Sequence, residues 1–237
     1  MATHIVSSFD ADLESLRSSI AEMGGVAERM MADSVSALVR RDTALAQTVI
    51  GTDARLDKLQ RDVEERAILT IARRQPLGID LREVVSAIRI SGDIERIGDL
   101  AKNCAKRVLA ISDGFQAQKI VLGVQHISDL VMEQLKDVLD AYAQHDLDRA
   151  LDVWRRDDSI DALYTSLFRE LLTYMMEDPR NISFCAHLLF AGKNIERIGD
   201  HTTNIAETIH YLVTGQSLDA ERPKDDRTTA PLSEPAA

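Results

Sequence analysis

The 237-residue chain carries 28 Lys and Arg against 39 Asp and Glu, a net charge of −11, and 45% of it is apolar. That much apolar side chain can bury a core, so a globally disordered chain is excluded; two acidic halves exclude the basic stripe that a nucleic-acid backbone requires. With 11 glycines, 5 prolines and 4% aromatics, a β-sandwich or barrel is also excluded.

Met1-Ala2-Thr3-His4-Ile5-Val6 has neither the basic nor the apolar stretch of a signal peptide, and no run of 18 apolar residues occurs. A cytoplasmic protein without a membrane span is expected. Apolar spacing then predicts six long amphipathic helices, the first over 5–40. Asp42 caps the second, 43–74, whose stripe is Val49, Leu56, Leu59 and Val63. Pro76 ends that helix, and Asp80 with Glu83 reads as a capping box opening 80–112. Gly114 is the expected stop. A fourth helix, 117–144, leads to Asp146, the cap of 147–177. Pro179 and a capping Asn181 precede 182–214, with its stripe from Leu188 to Leu212. Everything from Gly215 on is polar and aperiodic, the pattern of a disordered tail, 215–237.

The sequence repeats. Ile94-Glu95-Arg96-Ile97-Gly98-Asp99 recurs letter for letter as Ile195-Glu196-Arg197-Ile198-Gly199-Asp200, 101 residues on. Upstream an offset of 104 pairs Asp42 with Asp146, Asp53 with Asp157 and Asp57 with Asp161. One loop deletion near the prolines reconciles the two offsets. This predicts an all-α fold of two tandem, duplicated three-helix bundles, 1–114 and 115–214.

Four acidic pairs at i,i+4 keep register with the repeat: Asp53/Asp57, Glu95/Asp99, Asp157/Asp161 and Glu196/Asp200. Residues equidistant from a short hairpin loop face each other in antiparallel helices. In the first unit the pairs are symmetric about Pro76, and in the second about the Asp178–Pro179 bond. Four carboxylates should therefore meet on one patch per unit, about 30 Å from the bend. An oxygen-only cluster suits hard cations such as Mg²⁺, Mn²⁺ or iron, with Asn103 and Asn204 available as supporting amides. The alternative is a solvated acidic face tied by Arg96, Arg197 and Arg55. Gly98 and Gly199 lie inside helices, where close helix approach is favoured over ion access as their reason.

Little else in the chain carries chemistry. Cys104 sits on an apolar stripe and reads as an inert core thiol, and two cysteines make no disulfide framework. A ferritin-like di-iron bundle needs two Glu-x-x-His motifs, but only Glu207-Thr208-Ile209-His210 is present. His187 reads as packed, His201 as a surface residue beside Asp200, and Trp154 and Tyr164 as packing residues. No nucleophile triad or phosphate loop is found, so an enzyme is not expected.

With its doubled Glu-Arg-Ile-Gly-Asp cores, the earlier Asp-x-x-x-Asp pairs and the Gln75-Pro76…Asp80-Leu81-Arg82 connector, the chain resembles the PhoU family over residues 5–214. The resemblance implies two three-helix bundles side by side. It implies metal clusters held by Asp53, Asp57, Glu95, Asp99 and by Asp157, Asp161, Glu196, Asp200, with Fe, Zn, Mn or Mg as the ion. It further implies a non-enzymatic negative regulator of the phosphate-starvation response and of phosphate uptake. The implied partners are the ATPase subunit of a phosphate ABC transporter and a phosphate-sensing histidine kinase, with peripheral membrane association and a homodimer as options. The remaining readings are a ferritin-like iron bundle and a plain helical adaptor. Two departures set the units apart: Asp93 stands where the second has Asn194, and the second connector lacks Asp-Leu-Arg.

Overall fold

The computed structural model describes residues 7–111 and 118–218. The described residues are all-α: α1 (Ser7–Arg40), α2 (Thr43–Arg74), α3 (Ile79–Ala110), α4 (Gln118–Gln144), α5 (Leu147–Arg155), α6 (Asp157–Glu177) and α7 (Ile182–Thr214), with a 3₁₀ turn at Pro179–Asn181 before α7. The expected Gly114 stop and nearly all of the expected polar tail lie outside the described residues.

Local chemistry sets the boundaries. Asp42 and Asp146 both cap, accepting from Leu45 N at 2.9 Å and Arg149 N at 3.0 Å. Each follows a residue in the left-handed region, Arg41 at φ 56° and His145 at φ 52°. The matching 6→1 bonds, Asp42 N to Ala37 O and Asp146 N to Ala141 O, make these two turns copies of each other. Gln75, also left-handed, closes α2 ahead of Pro76.

Two cap expectations are corrected. α3 starts at Ile79, one residue early, because Gly78 at φ 59° turns the chain directly into the helix; Asp80 lies in the first turn, and Glu83 is drawn elsewhere. Asn181 does not cap α7 through its side chain, whose Nδ2 donates to Tyr174 O at 3.2 Å, while Asp178 caps the 3₁₀ turn. The fifth helix is also interrupted. Arg156, at ψ 0°, is held to Asp137 of α4, and the Ser159 hydroxyl donates to the Arg156 carbonyl at 2.6 Å, diverting it from the helical ladder.

α1, α2 and α3 pack on one another, as do α4, α5, α6 and α7. The two sets meet along α3 with α7 and α1 with α4, sharing one apolar core that includes Leu16, Met30, Ile94, Ile97, Leu135 and Ile198. α3 and α7 run antiparallel: Arg82 reaches Leu212 O, Asp93 reaches His201, and the Cys104 thiol donates to Ala191 O. At one edge of this junction Glu83, 3% exposed, accepts from Arg17 Nε at 2.8 Å, and His145 Nε2 stands 3.4 Å from its other oxygen. The position equivalent to Glu83 is Phe184, and there Arg41, equivalent to His145, lies over the ring at 5.7 Å from its centroid.

Candidate functional site

Both hairpins bring their acidic pairs together. In the first unit Lys102 Nζ donates to Asp53 Oδ2 on α2 and to Asp99 Oδ1 on α3, each at 2.6 Å. Arg96 adds contacts to Asp99 at 3.2 Å and Glu95 at 3.4 Å. Burial raises the Glu95 pKa, and the neighbouring Asp99, Asp57 and Asp53 charges raise it further against Arg96. Burial works against the Lys102 charge, but its two carboxylate partners outweigh it and hold the ammonium above the ordinary lysine range. This patch thus carries its own cation.

The second patch is deeper. Asp157, Asp161 and Glu196 are 3%, 4% and 5% exposed. The break at Arg156 places Asp157 in the first turn of α6, where the helix dipole favours a carboxylate. Opposite Lys102 in the repeat stands Thr203, whose hydroxyl donates to Asp157 Oδ1 at 3.0 Å. Lys193 donates to Glu196 Oε1 at 2.9 Å, whereas Glu196 Oε2 is buried without a hydrogen bond. Burial pushes the Glu196 carboxyl up to about 7, Asp200 and Asp161 adding to it and Lys193 opposing. An orphaned buried oxygen facing two further carboxylates fits a cation better than a closed lysine bridge does. Among the described residues, no three His, Cys, Asp or Glu side chains are already placed as the ligand set of one ion.

The supporting residues fall differently from the spacing argument. Asn204 Nδ2 donates across the junction to Asp93 Oδ1 at 3.3 Å, and His201 Nδ1 lies 2.8 Å from the same oxygen. His201 is therefore a junction residue, not a surface one. Asn103 is half-buried on α3. Lys102 and Thr203 were missed as partners of the acids; the Asp99-to-Lys102 spacing of three was the available signal. The glycines answer to packing. A Cβ on Gly98 would stand 2.2 Å from Leu56 Cδ2, and one on Gly199 would stand 3.2 Å from Ile160 Cδ1. Trp154 and Tyr164 are core residues, and burial pushes the Cys104 thiol up to about 12, an inert state.

Alongside the α3–α7 junction lies a cavity of about 700 Å³ lined by residues that include Arg89, Asp93, Arg96, Asn204 and Tyr211. No helix of the described residues is long and apolar enough to cross a membrane.

The PhoU domain family model matches residues 20–108 and again 124–209. The phosphate-specific transport system accessory protein PhoU homolog of Rhizobium meliloti is 58% identical over 226 residues, 95% of either chain. That of Caulobacter vibrioides is 49% identical over 95% of this chain and 98% of its own. Among solved structures, PhoU from Pseudomonas aeruginosa matches with a TM-score of 0.84 at 40% identity, over 88% of this chain and all of the other. The phosphate transport system regulatory protein PhoU from Streptococcus pneumoniae matches at 0.83 and 28%, over 90% of this chain and all of its own.

Proposed function

This chain belongs to the PhoU family, and from that premise we propose an accessory protein of a phosphate-specific transport system that regulates without catalysing. It acts in the cytoplasm as a rigid helical scaffold, docking the transporter's ATPase subunit and a phosphate-sensing histidine kinase. When phosphate is plentiful, the assembly holds the kinase in its signalling-off state and restrains uptake. The observation that carries this reading is the family match over both units, joined by one core and with an acidic patch in each. Deleting the gene should raise alkaline phosphatase in phosphate-rich medium; unchanged expression overturns the regulatory reading.

The metal belongs to the second patch. Asp157, Asp161, Glu196 and Asp200 would hold it, with Glu196 Oε2 as the oxygen most in need of a partner. A bound Fe, Zn, Mn or Mg ion would neutralise the cluster and offer coordination positions to an acidic group of a partner or to phosphate. In the first patch the Lys102 ammonium already bridges Asp53 and Asp99, so an ion must displace it. Metal analysis of protein purified without chelator tests this. Bound metal should vanish in D157A/D161A/E196A/D200A and largely persist in D53A/D57A/E95A/D99A. The reverse dependence, or no metal in the parent, sinks the assignment.

A further inference from the structure

We propose that the furrow along α3 and α7 docks an acidic segment of a partner protein. The proposal stands on this surface alone and does not rest on the regulatory reading. α2 and α6 flank the α3–α7 pair and, among the described residues, make no contact with each other, so the pair forms the floor of an open channel. The cavity beside Arg89, Asp93 and Arg96 of α3 and Asn204, Thr208 and Tyr211 of α7 opens into it.

Helical spacing extends the floor beyond that cavity. On α3 the steps of four and three from Arg89 to Asp93 to Arg96 continue through the buried Leu100 to Asn103 and Arg107 on one face. On α7 the steps back from Tyr211, Thr208 and Asn204 continue through Arg197 and Asn194 to Phe190. The extension is confirmed by contact: the Arg107 guanidinium lies over the Phe190 ring, 4.5 Å from its centroid, just as Arg89 lies over Tyr211 at 5.0 Å. Each end of the floor thus presents an arginine stacked on an aromatic ring.

On a chain of net charge −11, the Arg107 end of this floor is basic, whereas around the cavity at the other end the acids Glu64, Asp93, Glu95 and Glu207 outnumber Arg89 and Arg96. Arg107 and Arg197 share its helical face, while Arg96 is paired with Glu95 and Asp99 and Lys193 with Glu196. Arg107 and Arg197 make no ion pair with any carboxylate of the described residues, and Phe190 is 55% exposed beside them. Asp93, on the floor itself, is already engaged by His201 and Asn204. Glu64, Glu95 and Glu207 edge the Arg89 end, so the occupant's acids gather at the Arg107 end.

Size and shape select the class of ligand. From Arg89 to Arg107 the floor runs about 27 Å, too long for a small anion and matched by about eight extended residues. Flanking helices keep a flat bilayer from reaching the floor arginines, and the acids at one end repel a uniform polyanion such as RNA. An acidic peptide with one apolar side chain for Phe190 satisfies both the charge and the exposed ring.

The test uses the full chain and an eight-residue fluorescein-labelled peptide, with three glutamates and a leucine in one half to meet the Arg107 end and serines in the other, followed by anisotropy in low salt. A twin with glutamine for glutamate is the control. The parent should bind the glutamate peptide and not its twin. R107E/R197E should weaken binding by about tenfold or more, and R107Q/R197Q by less, with unchanged melting curves. R155E, a basic residue elsewhere on the surface, should bind like the parent. Absence of binding, equal binding by R107E/R197E, or equal loss in R155E overturns the proposal. So does sedimentation with phosphatidylserine vesicles, dependent on Arg107 and Arg197, in place of peptide binding.

Discussion

Glu83→Gln tests how the two units are joined. Glu83 belongs to the first unit; its carboxylate holds Arg17 of α1 and approaches His145 of the α4–α5 turn. Burial alone would raise its pKa, but the His145 and Arg17 contacts override burial and hold it at about 2 instead of 4.5. The folded carboxyl therefore binds its proton less tightly than the unfolded one. Stability from this group is fully present above the unfolded value near 4.5 and is lost as pH falls through that range toward 2. A gap of that size is worth about 3 kcal/mol. The amide keeps the shape and one acceptor oxygen but loses the charge, so Arg17 is left with a neutral partner and the oxygen near His145 is replaced by an NH₂. Urea unfolding at pH 7 should show the variant about 3 kcal/mol less stable, and its decline between pH 5 and 3 should be shallower than the parent's. Equal stability at pH 7, or identical slopes in acid, would refute the linkage.

The glycines give an ordering. Gly98→Ala drives a Cβ to within 2.2 Å of Leu56 and should destabilise by about 1–3 kcal/mol, whereas Gly199→Ala meets Ile160 at 3.2 Å and should cost less; calorimetric melting in the opposite order would count against packing as their reason. Lys102→Met removes the cation between Asp53 and Asp99 and should raise the metal content per chain, read by elemental analysis, because the first patch then lacks its own counter-charge. Unchanged metal content would mean that the lysine is not what closes that patch.

The helices were legible because each is long and the apolar stripes are strict; α2 begins and ends at the residues its cap and proline imply. The convergence of the acidic pairs was equally legible, since a hairpin centred on a proline fixes which turns of two antiparallel helices meet. What the sequence withheld was everything set by one unit packing on the other. Glu83 and Arg17 are 66 positions apart, and Asp93 and His201 are 108 apart, separations that no local period reports. The Arg156 break was hidden for a different reason. It depends on an arginine reaching α4 and a serine bonding back three residues, a choice open to any helix containing the same pair.

The duplication fixed the backbone and left the side chains free to diverge. At the turn between the first and second helices of each unit, one left-handed residue approaches the third helix of the other unit. His145 meets the acid Glu83, whereas Arg41 meets the ring of Phe184. The first sets a ring nitrogen against a carboxylate and the second a guanidinium over the face of a ring, and only the first includes a carboxyl that acid can protonate. The acidic patches diverge in the same way. A lysine bridges an acid of each helix in one, while in the other a threonine meets Asp157 and Lys193 holds only one oxygen of Glu196, leaving its second without a hydrogen bond. Lys102→Thr should therefore give the first patch a greater metal preference, whereas the reverse change must force a lysine into a fully buried position, because Thr203 is 0% exposed against Asp157 and the Gly199 carbonyl.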